Sequence, residues 1–177
     1  MKYITFILLL ISSTTAGFAQ VKHTVTKSSV TYQIKNMGFN TTGTFGSVQA
    51  DINFDKNHLD NSSIEASIDA ASINSDNTMR DNHLKSEDYF DVAKYPRITM
   101  KSVLFKHKSG DNYIGTFNIT IKNKTKELAM PFTYTETGNQ ATFNGTFTIK
   151  RTDFGIGGKS MVLADDAQVT IAVQTTF

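Results

Sequence analysis

Cysteine is absent from the chain, so disulfides cannot hold the fold together and thiolates cannot bind a metal. A surplus of charge is missing as well. The 18 basic and 16 acidic residues leave a formal net charge of +2, too little for a polyanion-binding surface, and nucleic acid is not an expected partner. Beyond residue 11 there is no long apolar run, so no integral membrane span is expected. Four histidines, His23, His58, His83 and His107, offer no pair at ligand spacing, and neither a metal nor any other cofactor is expected. Serine is plentiful, yet no serine sits in a Gly-x-Ser-x-Gly elbow, and FGIGGKS at 154–160 lacks both the spacing of a phosphate loop and a following helix. No catalytic residue is assigned, and the chain is not expected to be an enzyme.

What is present begins with MKYITFILLLISSTTAGFAQ. A lysine, an apolar run from Tyr3 to Ile11 and small residues before Gln20 make the pattern of a signal peptide cleaved after Ala19. Its removal takes Lys2 and no acid, lowering the formal charge from +2 to +1. The junction has no cysteine to carry a lipid anchor, so the expected mature chain, residues 20–177, is exported to the periplasm or secreted. One domain is expected, since a chain near 150 residues buries roughly 68–70% of its unfolded surface.

Along that domain, apolar and polar residues alternate with period two. Val30, Tyr32 and Ile34 open the series, followed by the alternating sets 48–54, 64–70, 117–121, 128–134, 143–149 and 169–173; a less regular set at 98–105 gives eight candidate strands. Clean alternation means one buried and one wet face, the habit of antiparallel sheets. SGDN at 109–112, KNKT at 122–125 and TGNQ at 137–140 are short enough for hairpins and too short for crossover helices. Pro131 removes a ladder donor and calls for an edge, a bulge or a non-bonded position. An eight-stranded up-and-down barrel is expected, with a two-sheet sandwich as the rival. Gly-Thr-Phe recurs at 43–45, 115–117 and 145–147, which a chain rich in both glycine and phenylalanine produces without a true repeat.

One stretch breaks the pattern. MRDNHLKSEDYFDVAKYP, residues 79–96, crowds charges and aromatic rings together and predicts the single short helix, capped by Ser75 or Asp76, within an insertion from Ile73 to Tyr95. Helical spacing puts Arg80, His83, Leu84 and Glu87 on one side and pairs Asp81 with Lys85. On the strands, Ala50, Ala66 and Ala70 lie on presumed inner faces, where they leave room for a cavity unless phenylalanine and methionine side chains fill it.

The same stretch, continuing to Ser102, resembles the signature Arg-Asp-x-His-Leu-(Lys/Arg)-Ser-x-Asp-(Phe/Tyr)-Phe-Asp with a following Tyr-Pro of the YceI-like, polyisoprenoid-binding family. YIGTFNITIKNKTKELAMPF at 113–132 and IKRTDFGIG at 149–157 are similar to further motifs of that family, in the same order. Asn36 and Asn123 depart from the histidine and glycine usual there. The resemblance implies an all-β, lipocalin-like, eight-stranded antiparallel barrel with one short helical insertion, and a lengthwise apolar tunnel that binds, carries or stores a polyisoprenoid or other long amphipathic lipid in the periplasm. The expected apolar lining is Tyr32, Ala50, Ile52, Ala66, Ile68, Phe90, Phe117, Ile119, Phe132 and Phe147. At the rim, Arg80, Asp81 and His83 are expected to face the headgroup, with Leu84, Tyr89 and Phe90 closing the apolar side. The alternative role for the polar set is structural, with Arg80, Asp81 and Asp91 pairing with backbone, Arg151 or Asp153. The alternative for the whole chain is a packed envelope stress or interaction protein working through its surface. A dimer is allowed in such folds and nothing in the sequence demands one.

Overall fold

The computed structural model describes residues 21–177; the expected signal peptide lies outside the described residues. The strands are β1 (Lys22–Asn36), β2 (Phe39–Phe45), β3 (Gln49–Asn53), β4 (Ser63–Asp69), β5 (Arg97–Ser109), β6 (Asn112–Ile121), β7 (Lys124–Thr137), β8 (Gln140–Lys150) and β9 (Leu163–Thr176), and α1 (Thr78–Lys85) lies between β4 and β5. Each strand from β3 to β9 pairs with the next, β1 pairs with β9, and every pairing is antiparallel. The sheet therefore closes on itself.

The segments β2 and β3 are one interrupted strand. Val30 faces Phe45 and His23 faces Ile52, so a single register runs through both pairings with β1. At the interruption the amide of Val48 donates to Ser28 Oγ (3.0 Å) and that of Gly46 to Ser72 Oγ (2.8 Å), which replaces the missing ladder. Counted this way, the barrel has eight strands. The hairpins expected at 109–112, 122–125 and 137–140 are all present.

Period-two burial is clearest in β6, where every second residue from Tyr113 to Ile121 is buried. Pro131 is tolerated for a specific reason. Tyr134 donates its amide to Asp111 on the β6 side, so by alternation the Pro131 nitrogen faces β8, whose pairing with β7 begins only at Phe132. The recurring glycines are three local packing solutions. A Cβ at Gly43 would lie 2.5 Å from Tyr32 Oη, one at Gly115 2.3 Å from Phe117 Cε2, and one at Gly145 2.8 Å from Met130 Sδ.

The two ends of the barrel differ. At one end lie the start of β1, the β3–β4 connection and the turns at Gly110 and Gly138; at the other lie the β1–β2 hairpin, the α1 insertion, the β6–β7 turn and the β8–β9 loop. Phe54 packs at the first end against Phe105, Tyr113, Phe132, Tyr134 and Phe143 with ring centroids 4.7–5.9 Å apart. Most of these contacts are edge-to-face, the arrangement that the ring quadrupoles favour. Phe54 is 1% exposed, so this end is solid.

Candidate functional site

Behind the aromatic plug the barrel is hollow. A cavity of about 330 Å³ opens toward the α1 end, within the range of small-molecule and cofactor sites. Its floor is made by Phe117, Phe132 and Phe143, which lie against the plug. Where the resemblance implied a lengthwise tunnel, the chain forms a blind cavity, because Phe54 and its neighbours fill the far end.

The insertion roofs the cavity and is fixed on two sides. Asn74 and Thr44 exchange backbone hydrogen bonds (2.7 and 2.9 Å), and the amide of Gly157 donates to Asp88 O (2.8 Å). Lys122 Nζ donates to Glu87 O at 3.1 Å. The helix cap is Asn77, whose side chain accepts from the Arg80 amide at 3.0 Å, rather than Ser75 or Asp76. Ser75 is committed elsewhere: its amide (2.9 Å) and hydroxyl (2.5 Å) both donate to Asp81 Oδ1. Glu87 lies past the end of the helix.

Every residue expected as apolar lining, Tyr32, Ala50, Ile52, Ala66, Ile68, Phe90, Phe117, Ile119, Phe132 and Phe147, borders the cavity, and so do Leu84 and Tyr89. Phe90 reaches in from the roof and meets Phe45 edge-on at 5.8 Å. Of the expected polar rim, Arg80 and His83 border the cavity and Asp81 does not. The Asp81 carboxylate turns away to Ser75 because the preceding turn offers it two donors at once. Arg80 uses Nε and one terminal nitrogen on Ser75 Oγ (2.8 Å) and Ser75 O (2.7 Å). Among the described residues it has no carboxylate partner at salt-bridge distance. His83 stacks obliquely on Tyr89, with centroids 4.7 Å apart.

Arg151 also borders the cavity but is fully engaged. It is 3% exposed, donates to the carbonyls of Ile156 (2.9 Å), Gly158 (2.8 Å), Ala164 (2.8 Å) and Leu163 (3.3 Å), and pairs with Asp165 at 3.1 Å. It holds the β8–β9 loop in shape, and neither Arg80 nor Asp81 needs it. No carboxylate borders the cavity among the described residues. The only described side-chain polar atom both buried and without a hydrogen-bond partner is Tyr32 Oη. Burial pushes its pKa up while the positive charge of Arg80 pulls the other way. Its approach to Ser75 does not close into a hydrogen bond of normal geometry.

Val48, which alternation puts on the face of Ala50 and Ile52, also lines the cavity, and so does Phe45, whose strand β2 carries no clear period-two pattern. The signal for Phe45 is register: it faces Val30 on β1, in the alternating series of Val30, Tyr32 and Ile34.

A closed eight-stranded antiparallel barrel with a blind apolar cavity and polar donors at its mouth is a lipocalin-like architecture. The YceI-like domain matches residues 21–177, and the chain belongs to that family. A UPF0312 protein of Pseudomonas savastanoi pv. phaseolicola is 31% identical over 136 residues, covering 73% of this chain and 71% of that protein. The crystal structure of Burkholderia cenocepacia BcnA superposes with a TM-score of 0.81 at 29% identity, covering 84% of this chain and 96% of that one. A polyisoprenoid binding domain from Saccharophagus degradans shares the fold, with a TM-score of 0.64 at 12% identity over 88% of this chain and 97% of that one.

Proposed function

We propose that the chain is a non-catalytic binder that carries or stores one amphiphile with a long apolar tail, of the polyisoprenoid class, in the periplasm or outside the cell. The observation that carries this reading is the cavity of about 330 Å³, apolar to its floor, with Arg80 and His83 at its mouth. Each buried CH₂ of a tail gains about 0.8 kcal/mol, less the cost of fixing a flexible chain. The head cannot follow unpaired. Donors without a carboxylate among them suit a head that offers oxygen acceptors, such as a carbonyl or a phosphate.

Membership of the YceI-like family supports the class of ligand, and so does the shared fold of the Saccharophagus degradans polyisoprenoid binding domain. The location rests on the N-terminal sequence pattern of residues 1–19. Native mass spectrometry of the purified protein, followed by organic extraction, tests the reading. It predicts one co-purifying amphiphile per chain, or uptake of one labelled prenyl lipid by the emptied barrel. A barrel that arrives empty and takes up no such lipid would leave the surface as its working part.

A further inference from the structure

Large apolar side chains stand in water at the open end of the barrel. Met37 is 70% and Phe39 78% exposed at the tip of the β1–β2 hairpin, while Met161 is fully and Val162 half exposed in the loop before β9. The Met37 amide donates to Val162 O at 2.7 Å, so hairpin tip and loop form one lip. Single exposed apolar residues carry little information, whereas a group of four in one place does.

Met37 sharpens the point. It takes φ 52° and Gly38 φ 81°, a left-handed two-residue turn whose first position favours Asn, Asp or Gly. Methionine is a poor choice for that backbone, and its exposure means that the core gains little from it. The hairpin segment 33–50 and the loop 154–164 contain the exposed Lys35 and Lys159 and no Asp or Glu; the nearest acids, Asp153, Asp165 and Asp166, stand at the loop's base, where Asp165 pairs with Arg151. Asn36 and Leu163, paired across β1 and β9, border the cavity immediately behind the lip.

We propose that this lip docks on an anionic bilayer. Met37, Phe39, Met161 and Val162 enter the boundary between headgroups and acyl chains, Lys35 and Lys159 lie among the phosphates, and the cavity mouth is held against the membrane. A second copy of the chain is a poorer occupant, because a symmetric contact through the lip would bring the same lysines together. The proposal deepens the carrier reading by naming where cargo is exchanged, and it rests on the lip rather than on the cavity.

Sedimentation of the purified protein with vesicles of phosphatidylcholine and phosphatidylglycerol in equal parts is the test. The protein is expected to bind, to bind less to phosphatidylcholine alone, and to release as salt is raised. The quadruple variant M37N/F39T/M161S/V162T is expected to bind about a hundredfold more weakly or worse. Its thermal unfolding is expected to be at least as high as that of the parent at position 37, since Asn suits that turn; M37N alone checks this. Val103→Thr, on the barrel wall away from the lip, should leave vesicle binding unchanged.

The proposal is overturned if the protein ignores anionic vesicles or if the quadruple variant binds them as the parent does. It is overturned equally if light scattering finds a dimer that the quadruple variant abolishes, which would make the lip a self-association face. Uptake of a fluorescent farnesyl probe dispersed without vesicles separates the two readings. Vesicle binding without probe uptake keeps the lip and removes the carrier; probe uptake without vesicle binding does the reverse.

Discussion

Two tyrosines at opposite ends of one barrel are treated in opposite ways. At the solid end the Tyr134 hydroxyl donates to Glu136 at 2.5 Å, and Lys56 holds the same carboxylate from the other side. At the hollow end the Tyr32 hydroxyl, equally shut away, has no partner. Burial raises both phenol pKa values. For Glu136, burial pushes upward, but the hydrogen bonds from Lys56 and Tyr134 outweigh it and leave the carboxyl below its ordinary range. A buried hydroxyl without a partner costs about 1–3 kcal/mol, so the hollow end keeps a polar group that stability alone would remove. The solid end is built to fold, and the hollow end gives up packing and hydrogen bonding to keep room for something else.

The largest effect that separates the ends is a packing effect. Phe54→Ala is expected to destabilise the barrel by about 3–5 kcal/mol, measured by chemical denaturation, because its ring touches five others. Ala66→Phe is the counterpart at the hollow end. Its ring enters existing space, so stability should shift by less than about 1.5 kcal/mol while prenyl-probe affinity falls about tenfold or more. A loss of stability as large as that of Phe54→Ala would mean that the hollow end is packed after all.

Removing one oxygen from each tyrosine sharpens the contrast further. Tyr134→Phe should cost about 1 kcal/mol through the lost bond to Glu136, and Tyr32→Phe should gain about 1 kcal/mol by removing an unpaired hydroxyl.

The smallest effect concerns pH. His23, 2% exposed, lies between Phe54 O (3.0 Å from Nε2) and Thr175 Oγ1 (2.9 Å from Nδ1). Burial lowers its pKa below the ordinary 6.5, against the opposing pull of the Phe54 carbonyl and the Glu136 charge. The unfolded chain therefore takes up this proton before the folded one does. Its contribution is complete above pH 6.5 and is lost as pH falls below that value toward the folded pKa. Melting temperature should drop over that window, and His23→Gln should flatten the drop.

Much of the barrel is legible in the sequence because a half-buried strand writes its two faces alternately, and β6 and β8 do so almost without exception. The interruption between β2 and β3 is not legible, since it depends on the Ser28 and Ser72 hydroxyls arriving from elsewhere in the chain. Inner faces gave the lining from Tyr32 to Phe147, yet alternation records only which residues point inward. Whether facing rings meet or leave space depends on how the barrel closes, so the blind end built around Phe54 could not be read from it. Adjacency in sequence to Arg80 and His83 puts Asp81 in the expected rim. Two donors from Ser75 draw it away, and that local competition is invisible in helical spacing.

Whether the hollow end accepts one lipid tail is decided by titrating a fluorescent prenyl probe into the parent protein and into Ala66→Phe. Saturable uptake of one probe per chain is expected from the parent, and uptake at least about tenfold weaker from the variant. Equal uptake by both, or none by the parent, would mean that the hollow does not hold the tail.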